Sequence, residues 1–287
     1  MTPAGNRRGA LFMVLAMAAF AVEDGLLKSA TTLVPVPTAM MGFGLLGVLI
    51  FAGAALLRGE APLPRLTRGL LLRSAFELGG RLFYSLALAY ATLGATSAIL
   101  QATPLVVVAG AVVVFGEKVG WRRWLAIAVG LGGVLLILRP GPEGLDPAAI
   151  FAVLGMLGFA GRDLATRAAP PRVTNAQLGV LGMSVLALAG LVVQLVTQAP
   201  LAVPPLPALG LITGAALFGS AAYAALTVAM RSGEVSVVTP FRYTRLVFAL
   251  ILAAILFDER PDLQMLLGSA LIVGSGLFTL ARARRMV

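Results

Sequence analysis

Two stretches decide the fold: residues 11–30, LFMVLAMAAFAVEDGLLKSA, and residues 150–169, IFAVLGMLGFAGRDLATRAA. At this offset Phe12 and Phe151, Val14 and Val153, Leu15 and Leu154, Met17 and Met156 are identical. So are Phe20 and Phe159, Ala21 and Ala160, Asp24 and Asp163, and Ala30 and Ala169, while Lys28 meets Arg167 in charge. Apolar segments coincide often, but paired aspartates and paired cations inside helices do not. Further on, Phe115-Gly-Glu117 aligns with Phe257-Asp-Glu259, and Gly132 with Gly274. The chain therefore reads as a duplication, with halves 1–140 and 141–287.

The medium follows from composition. The 287 residues are 59% hydrophobic and only 12% charged, with a mean hydropathy of +0.97. A water-soluble domain is about half apolar and a quarter charged, so this chain needs a lipid bilayer around it. Apolar runs long enough to cross about 30 Å of hydrocarbon recur along it. They predict helices at 9–28, 36–57, 68–91, 95–116, 122–139, 147–168, 174–197, 207–230, 234–257 and 263–282. Prolines mark the breaks: Pro35 and Pro37, Pro62 and Pro64, Pro140 and Pro142, Pro170 and Pro171, Pro204, Pro205 and Pro207. Short turns make the third and fourth helices, and the eighth and ninth, antiparallel hairpins. The expected fold is an all-α integral membrane protein of ten transmembrane helices. Each half has an odd number of helices, so the second half runs opposite to the first, as inverted repeats do.

Charge placement orients the helices. Arg7, Arg8, Arg58, Arg65, Arg68, Lys118, Arg122, Arg123, Arg172, Arg231, Arg282, Arg284 and Arg285 gather on one side. Arg139 and Arg260 fall on the other, near Asp146, Asp258 and Glu259. The positive-inside rule then puts both termini in the cytoplasm. The same clustering between apolar runs argues against a nucleic-acid partner despite the net charge of +10. With no cysteine and no histidine, disulfides, thiolate chemistry and Cys/His metal sites are excluded. No cofactor is expected, and the chain carries no phosphate-binding loop for direct nucleotide drive.

Charged residues inside the spans carry the functional signal, since each costs about 2.5–3.5 kcal/mol at mid-bilayer on insertion scales. Glu23, Asp24, Glu77, Arg81, Arg162, Asp163, Arg242 and Arg245 lie only on the first, third, sixth and ninth predicted helices. Those four helices are expected to surround a watered cavity. Met13, Met17, Phe20 and Asp24 form one helical stripe, which Ala152, Met156, Phe159 and Asp163 repeat. Such a stripe suits a cavity wall, although helix packing explains Met and Phe equally well. Asp24 lies about 20 Å along its helix at 1.5 Å per residue, and Asp163 as far along an opposed one. The two mark opposite mouths, as gate residues with Lys28 and Arg167 or as local i,i+4 pairs. Arg242 and Arg245 align with Leu100 and Thr103 and break the symmetry. They answer either a substrate carboxylate or an acid such as Glu77 or Asp163. Ser97, Gln101, Thr103 and Tyr223 offer neutral hydrogen bonds. Ala126, Gly130 and Gly133, with Ala270 and Gly274, read as packing positions.

The ten-helix count, the two halves, Phe115-Gly-Glu117-Lys118 and Phe257-Asp-Glu259-Arg260-Pro261 resemble the drug/metabolite transporter superfamily in its EamA branch. Pro104 fits that pattern, and Pro240-Phe-Arg-Tyr-Thr-Arg245 is a variant of it. Within the branch the chain is most similar to the YddG-type amino-acid exporters. The resemblance implies a central cavity between the halves, with the fifth and tenth helices at the periphery. The expected function is a secondary transporter in a bacterial cytoplasmic membrane, exporting neutral or aromatic amino acids by alternating access. The substrate cavity is assigned to Met17, Phe20, Glu77, Arg81, Tyr84, Gln101, Met156, Phe159, Tyr223, Arg242, Tyr243 and Arg245, with Asp24, Lys28, Asp163 and Arg167 at gates or ion-coupling sites. Efflux of cationic drugs would favour an acid-dominated cavity, and an intramembrane enzyme would need an aspartyl pair free of adjacent bases. The expected partners are a small-molecule substrate and the bilayer.

Overall fold

The computed structural model describes residues 3–116, 120–138, 147–167, 173–200, 203–232 and 239–284, and among them it is helical throughout. The helices are α1 (Pro3–Thr31), α2 (Val36–Leu57), α3 (Arg68–Tyr90), α4 (Leu93–Leu100), α5 (Thr103–Phe115) and α6 (Trp121–Leu138). Then come α7 (Pro147–Arg167), α8 (Asn175–Thr197), α9 (Leu206–Ser232), a 3-10 turn (Thr239–Tyr243), α10 (Thr244–Phe257) and α11 (Leu263–Arg284). Glu117, Lys118, Arg139, Asp146, Arg172 and Arg285, the breaks at 140–142 and 170–171, and the side chains of Arg123, Arg167, Arg231, Arg282 and Arg284 lie outside the described residues.

Among the described residues, six spans are long and apolar enough to cross a membrane: Arg7–Thr31, Val36–Leu57, Leu93–Val114, Ala148–Ala165, Asn175–Thr197 and Leu206–Leu226. Trp124–Leu138 and Leu263–Phe278 are shorter apolar helices. The protein is thus an all-α, multi-pass membrane protein. The third helix falls short of that standard because Arg68, Arg73, Glu77 and Arg81 interrupt its apolar run. Leucines such as Leu45, Leu49 and Leu56 stand more than half exposed on α2. In water such a surface would aggregate, whereas in a bilayer it meets acyl chains.

Two expected helices are not continuous α-helix among the described residues. The fourth, drawn over 95–116, breaks at Gln101-Ala102, where Pro104 enters the first turn of α5 and has no N–H to continue α4. The ninth, drawn over 234–257, begins among the described residues as the 3-10 turn containing Pro240 and becomes α-helical only at Thr244. The break at 101–102 and the change from 3-10 to α-helix at 243–244 fall at corresponding places in the duplication. Helix starts are chemically specified. Thr67 and Thr92 accept from the backbone N–H groups of Leu70 and Ala95, and Thr174 with Gln177 forms a capping box. Both motif helices end in left-handed residues, Gly116 at φ 65° and Asp258 at φ 49°. Glycine takes that conformation freely and aspartate tolerates it, so the Phe-Gly-Glu and Phe-Asp-Glu triplets are helix stops followed by a carboxylate.

Packing follows the repeat offset. The α1–α9 contact is matched by α3–α7, its counterpart under the offset. By contrast α2 packs on α8 and α6 on α11, each on its own counterpart, while α4 packs on α10. Small residues make these crossings tight. A Cβ on Gly158 would meet the Gly80 backbone between α7 and α3, and one on Gly133 would lie 2.7 Å from the Gly268 carbonyl oxygen between α6 and α11. Gly130 and Gly133 serve close packing as expected. Gly274 does not, since it faces open space and Gly268 holds the corresponding contact.

Candidate functional site

Nine ionisable side chains from α1, α3, α7, the 3-10 turn and α10 converge inside the bundle. On α1, Asp24 is 1% exposed. One of its oxygens accepts from Arg245 Nη2 at 2.7 Å, Arg245 Nε at 3.2 Å and the Tyr84 hydroxyl at 3.0 Å. Arg245 Nη2 also donates to the Tyr84 hydroxyl at 3.2 Å, and its guanidinium lies 5.0 Å from the Phe20 ring centroid. Three elements thus close one buried knot: α1, α3 and α10.

A second knot centres on Glu77, which is fully buried. Arg73 stands 2.9 Å away, Arg162 3.8 Å and Arg81 4.0 Å. Arg81 also reaches Glu23 at 3.8 Å. Arg162 Nη2 and Nε donate to Asp163 Oδ1 at 2.8 and 3.0 Å, leaving Oδ2 to Arg242 at 4.0 Å. Four carboxylates (Glu23, Asp24, Glu77, Asp163) therefore face five guanidiniums (Arg73, Arg81, Arg162, Arg242, Arg245), a formal surplus of one positive charge.

Exposure within the cluster is graded. The Asp24 side chain is 2% exposed and that of Arg245 14%, against 25% for Asp163 and 29% for Arg242. The Asp163 end of the cluster is therefore its less buried end, and Arg242 is its most exposed and most loosely paired cation. An ion pair at 4.0 Å lacks the short charge-assisted bonds that lock Arg245.

The remaining expected residues divide. Phe159 stacks edge-on with Tyr84 at 5.8 Å and lies under Arg162, whose guanidinium is 4.9 Å from its centroid. Gln101, at the α4 break, donates its amide to the Arg242 carbonyl at 3.0 Å, and Tyr223 packs edge-on to Phe51 at 5.7 Å. Met17 lies in an apolar cluster with Met13, Ala16 and Ala229. Met156 sits in the main core and lines an apolar cleft of about 400 Å³ with Val106, Val134 and Leu157. Tyr243 turns towards α11, where Gly276 makes room for its hydroxyl. These three are placed by packing against neighbouring helices.

Local i,i+4 pairing of Asp24 with Lys28 is not what the structure shows. Asp24 takes Arg245, while Lys28 donates to the Ala91 and Leu88 carbonyls at 2.6 and 3.2 Å and lies 4.0 Å from Glu259. Arg245 likewise pairs with neither Glu77 nor Asp163, its expected protein partners. Two residues of weight went unassigned from the sequence: Arg73, whose four-residue spacing to Glu77 was its signal, and Glu259.

Buried, cross-paired charge inside an apolar helical bundle fits a membrane transporter, and similarity to known proteins shows the class: a secondary transporter of small metabolites. A model of the EamA-like transporter family matches residues 7–139 and again 146–281. The chain belongs to the EamA-like transporter family. A riboflavin transporter of Rhizobium johnstonii is 29% identical over 96% of this chain and 92% of its own length. An S-adenosylmethionine uptake transporter of Rickettsia bellii is 27% identical over 82% of this chain and 78% of its own. The pseudopaline exporter CntI of Pseudomonas aeruginosa is 26% identical over 93% and 94%. A solved crystal structure covers 100% of this chain and 99% of its own with a TM-score of 0.67 at 20% identity, a likeness of fold.

Proposed function

We propose that the chain exports amino acids, neutral and aromatic ones first, by alternating access in a bacterial inner membrane. The halves 1–140 and 141–287 act as inverted five-helix repeats with both termini cytoplasmic. The paired contacts and the doubled family match support that arrangement. An amino-acid exporter of the YddG type is the resemblance it fits. The named cargoes of the relatives differ: riboflavin, S-adenosylmethionine and pseudopaline.

One observation carries the substrate reading: the loose Arg242–Asp163 pair at the open end of a cluster with one surplus positive charge. A zwitterion carries the same two charges as that pair. Its carboxylate takes Arg242 and its ammonium takes Asp163 Oδ2, so each partner regains a charge-assisted bond shorter than 4.0 Å. Phe159 and Tyr84 offer aromatic surface beside it. Arg245, held by three contacts to Asp24 and Tyr84, keeps the bundle together instead of taking substrate. A cationic drug would meet the surplus positive charge and be repelled.

The test is uptake of labelled neutral and aromatic amino acids, S-adenosylmethionine and riboflavin into proteoliposomes, with and without a pH gradient. Saturable amino-acid uptake that Arg242→Gln weakens more for the acid than for its amide supports the reading. Uptake of riboflavin alone, or equal loss for acid and amide, overturns it.

A further inference from the structure

The strongest unassigned contact set lies at the end of α1 farthest from the N-terminus, outside the charge cluster. Asp258 ends α10 in a left-handed conformation, and the next residue, Glu259, is thereby turned onto the N-terminus of α4. Its two carboxylate oxygens accept from the backbone N–H groups of Leu93 and Gly94 at 2.9 and 3.1 Å. Those are first-turn donors with no partner inside α4, at the positive end of its dipole. Lys28 completes the set. Its ammonium holds the last carbonyls of α3, lies 4.0 Å from Glu259 and sits 5.3 Å from the Phe257 ring centroid. One carboxylate and one ammonium therefore tie together α1, the α3–α4 turn and the α10–α11 turn.

We propose that Glu259 and Lys28 form the latch that closes the external mouth of the transport pathway. The proposal rests on the orientation given above, with the termini cytoplasmic. Its elements belong to different halves: α1, α3 and α4 to the first, Glu259 to the second. Relative motion of the halves must therefore break the Glu259 bonds to α4 and its pair with Lys28, whereas an ordinary helix cap within one half would travel with it. The exposure gradient agrees, since the cluster is sealed at Asp24, below the latch, and open at Arg242, away from it. Alternating access requires such a device: contacts present in one state and absent in the other bias the equilibrium by their own free energy.

The chain has no cysteine, so a single introduced thiol reports opening without background. Ser97, fully buried on α4 one turn below the capped end, accepts a near-isosteric Ser97→Cys replacement. The experiment measures labelling of that thiol by a membrane-impermeant reagent applied from outside, without substrate. It compares the Ser97→Cys protein alone with the same protein carrying Glu259→Gln or Lys28→Gln. Glu259→Gln is expected to raise the labelling rate roughly tenfold or more, the weight of a charge-assisted bond, and Lys28→Gln, which removes the 4.0 Å pair, roughly threefold. Lys28→Gln leaves the α4 cap intact and decides the matter if Glu259→Gln fails to fold. Unchanged labelling in folded Lys28→Gln protein would reduce the set to a helix cap and overturn the latch. The readout needs no substrate, so a failed amino-acid assay leaves it standing.

Discussion

Replacing Asp24 by asparagine keeps its shape and removes its charge, which isolates what that charge does. In the native protein it accepts three hydrogen bonds, two from Arg245 and one from Tyr84. Asparagine leaves the Arg245 guanidinium, 14% exposed, without a counter-ion. Removing one partner of a buried pair costs about 3–5 kcal/mol. At about 2–4 °C per kcal/mol for chains of 150–250 residues, the melting temperature in detergent should fall by roughly 6–20 °C. Tyr84→Phe removes one bond to a charge that stays paired, worth about 1.5–3 kcal/mol. The decisive measurement is the cycle of Asp24→Asn, Arg245→Gln and the double variant. The double variant is expected to be no worse than the weaker single, since both charges leave together, with a coupling above about 2 kcal/mol. Additivity within about 0.5 kcal/mol would refute the knot. The ratio of carboxylate to amide transport in folded Arg245 variants should stay native, and a selective loss of carboxylate substrates there would return Arg245 to the substrate site.

Glu77, fully buried among Arg73, Arg81 and Arg162, compensates more positive charge than any other carboxylate of the cluster. Glu77→Gln should cost about 3–5 kcal/mol and reduce folded yield on size-exclusion chromatography. A Cβ on Gly44 would lie 2.8 Å from the Ala187 Cα, and backbone cannot move aside as a side chain can. Gly44→Val is therefore expected to lower the melting temperature by an amount matching about 3 kcal/mol. Gly53, also in α2 but facing open space, should accept alanine with no loss and a gain of up to about 1 kcal/mol. Glu117 aligns with Glu259 across the repeat. Glu117→Gln should therefore slow external labelling of the Ser97→Cys protein, and a faster rate would speak against symmetric latches.

Period and apolar length made the helices legible, because a bilayer leaves few alternatives to a long apolar helix. Most predicted ends fall within one to three residues of those observed, and the first helix begins six residues earlier than expected. The break in the fourth helix and the 3-10 turn in the ninth were signalled by Pro104 and Pro240, yet apolar residues on both sides carried the predicted spans through them. The convergence of charged helices was legible too, since charge in hydrocarbon must find charge. What the sequence could not supply was the choice of partner. Asp24 and Lys28 satisfy the i,i+4 rule, but a buried carboxylate gains more from a guanidinium and a phenol on other helices than from one ammonium on its own helix. Lys28 has a long flexible stem that reaches the carbonyls ending α3, acceptors that no side-chain pattern reveals. The same reason hid Glu259. Its motif reads as a helix end, and only the left-handed turn at Asp258 aims the carboxylate at another half's backbone. Glu259 of the second half thus bonds main chain of the first. Main-chain partners leave no mark in residue identity, so contacts of this kind have to be read from structure even where the helices and their charges do not.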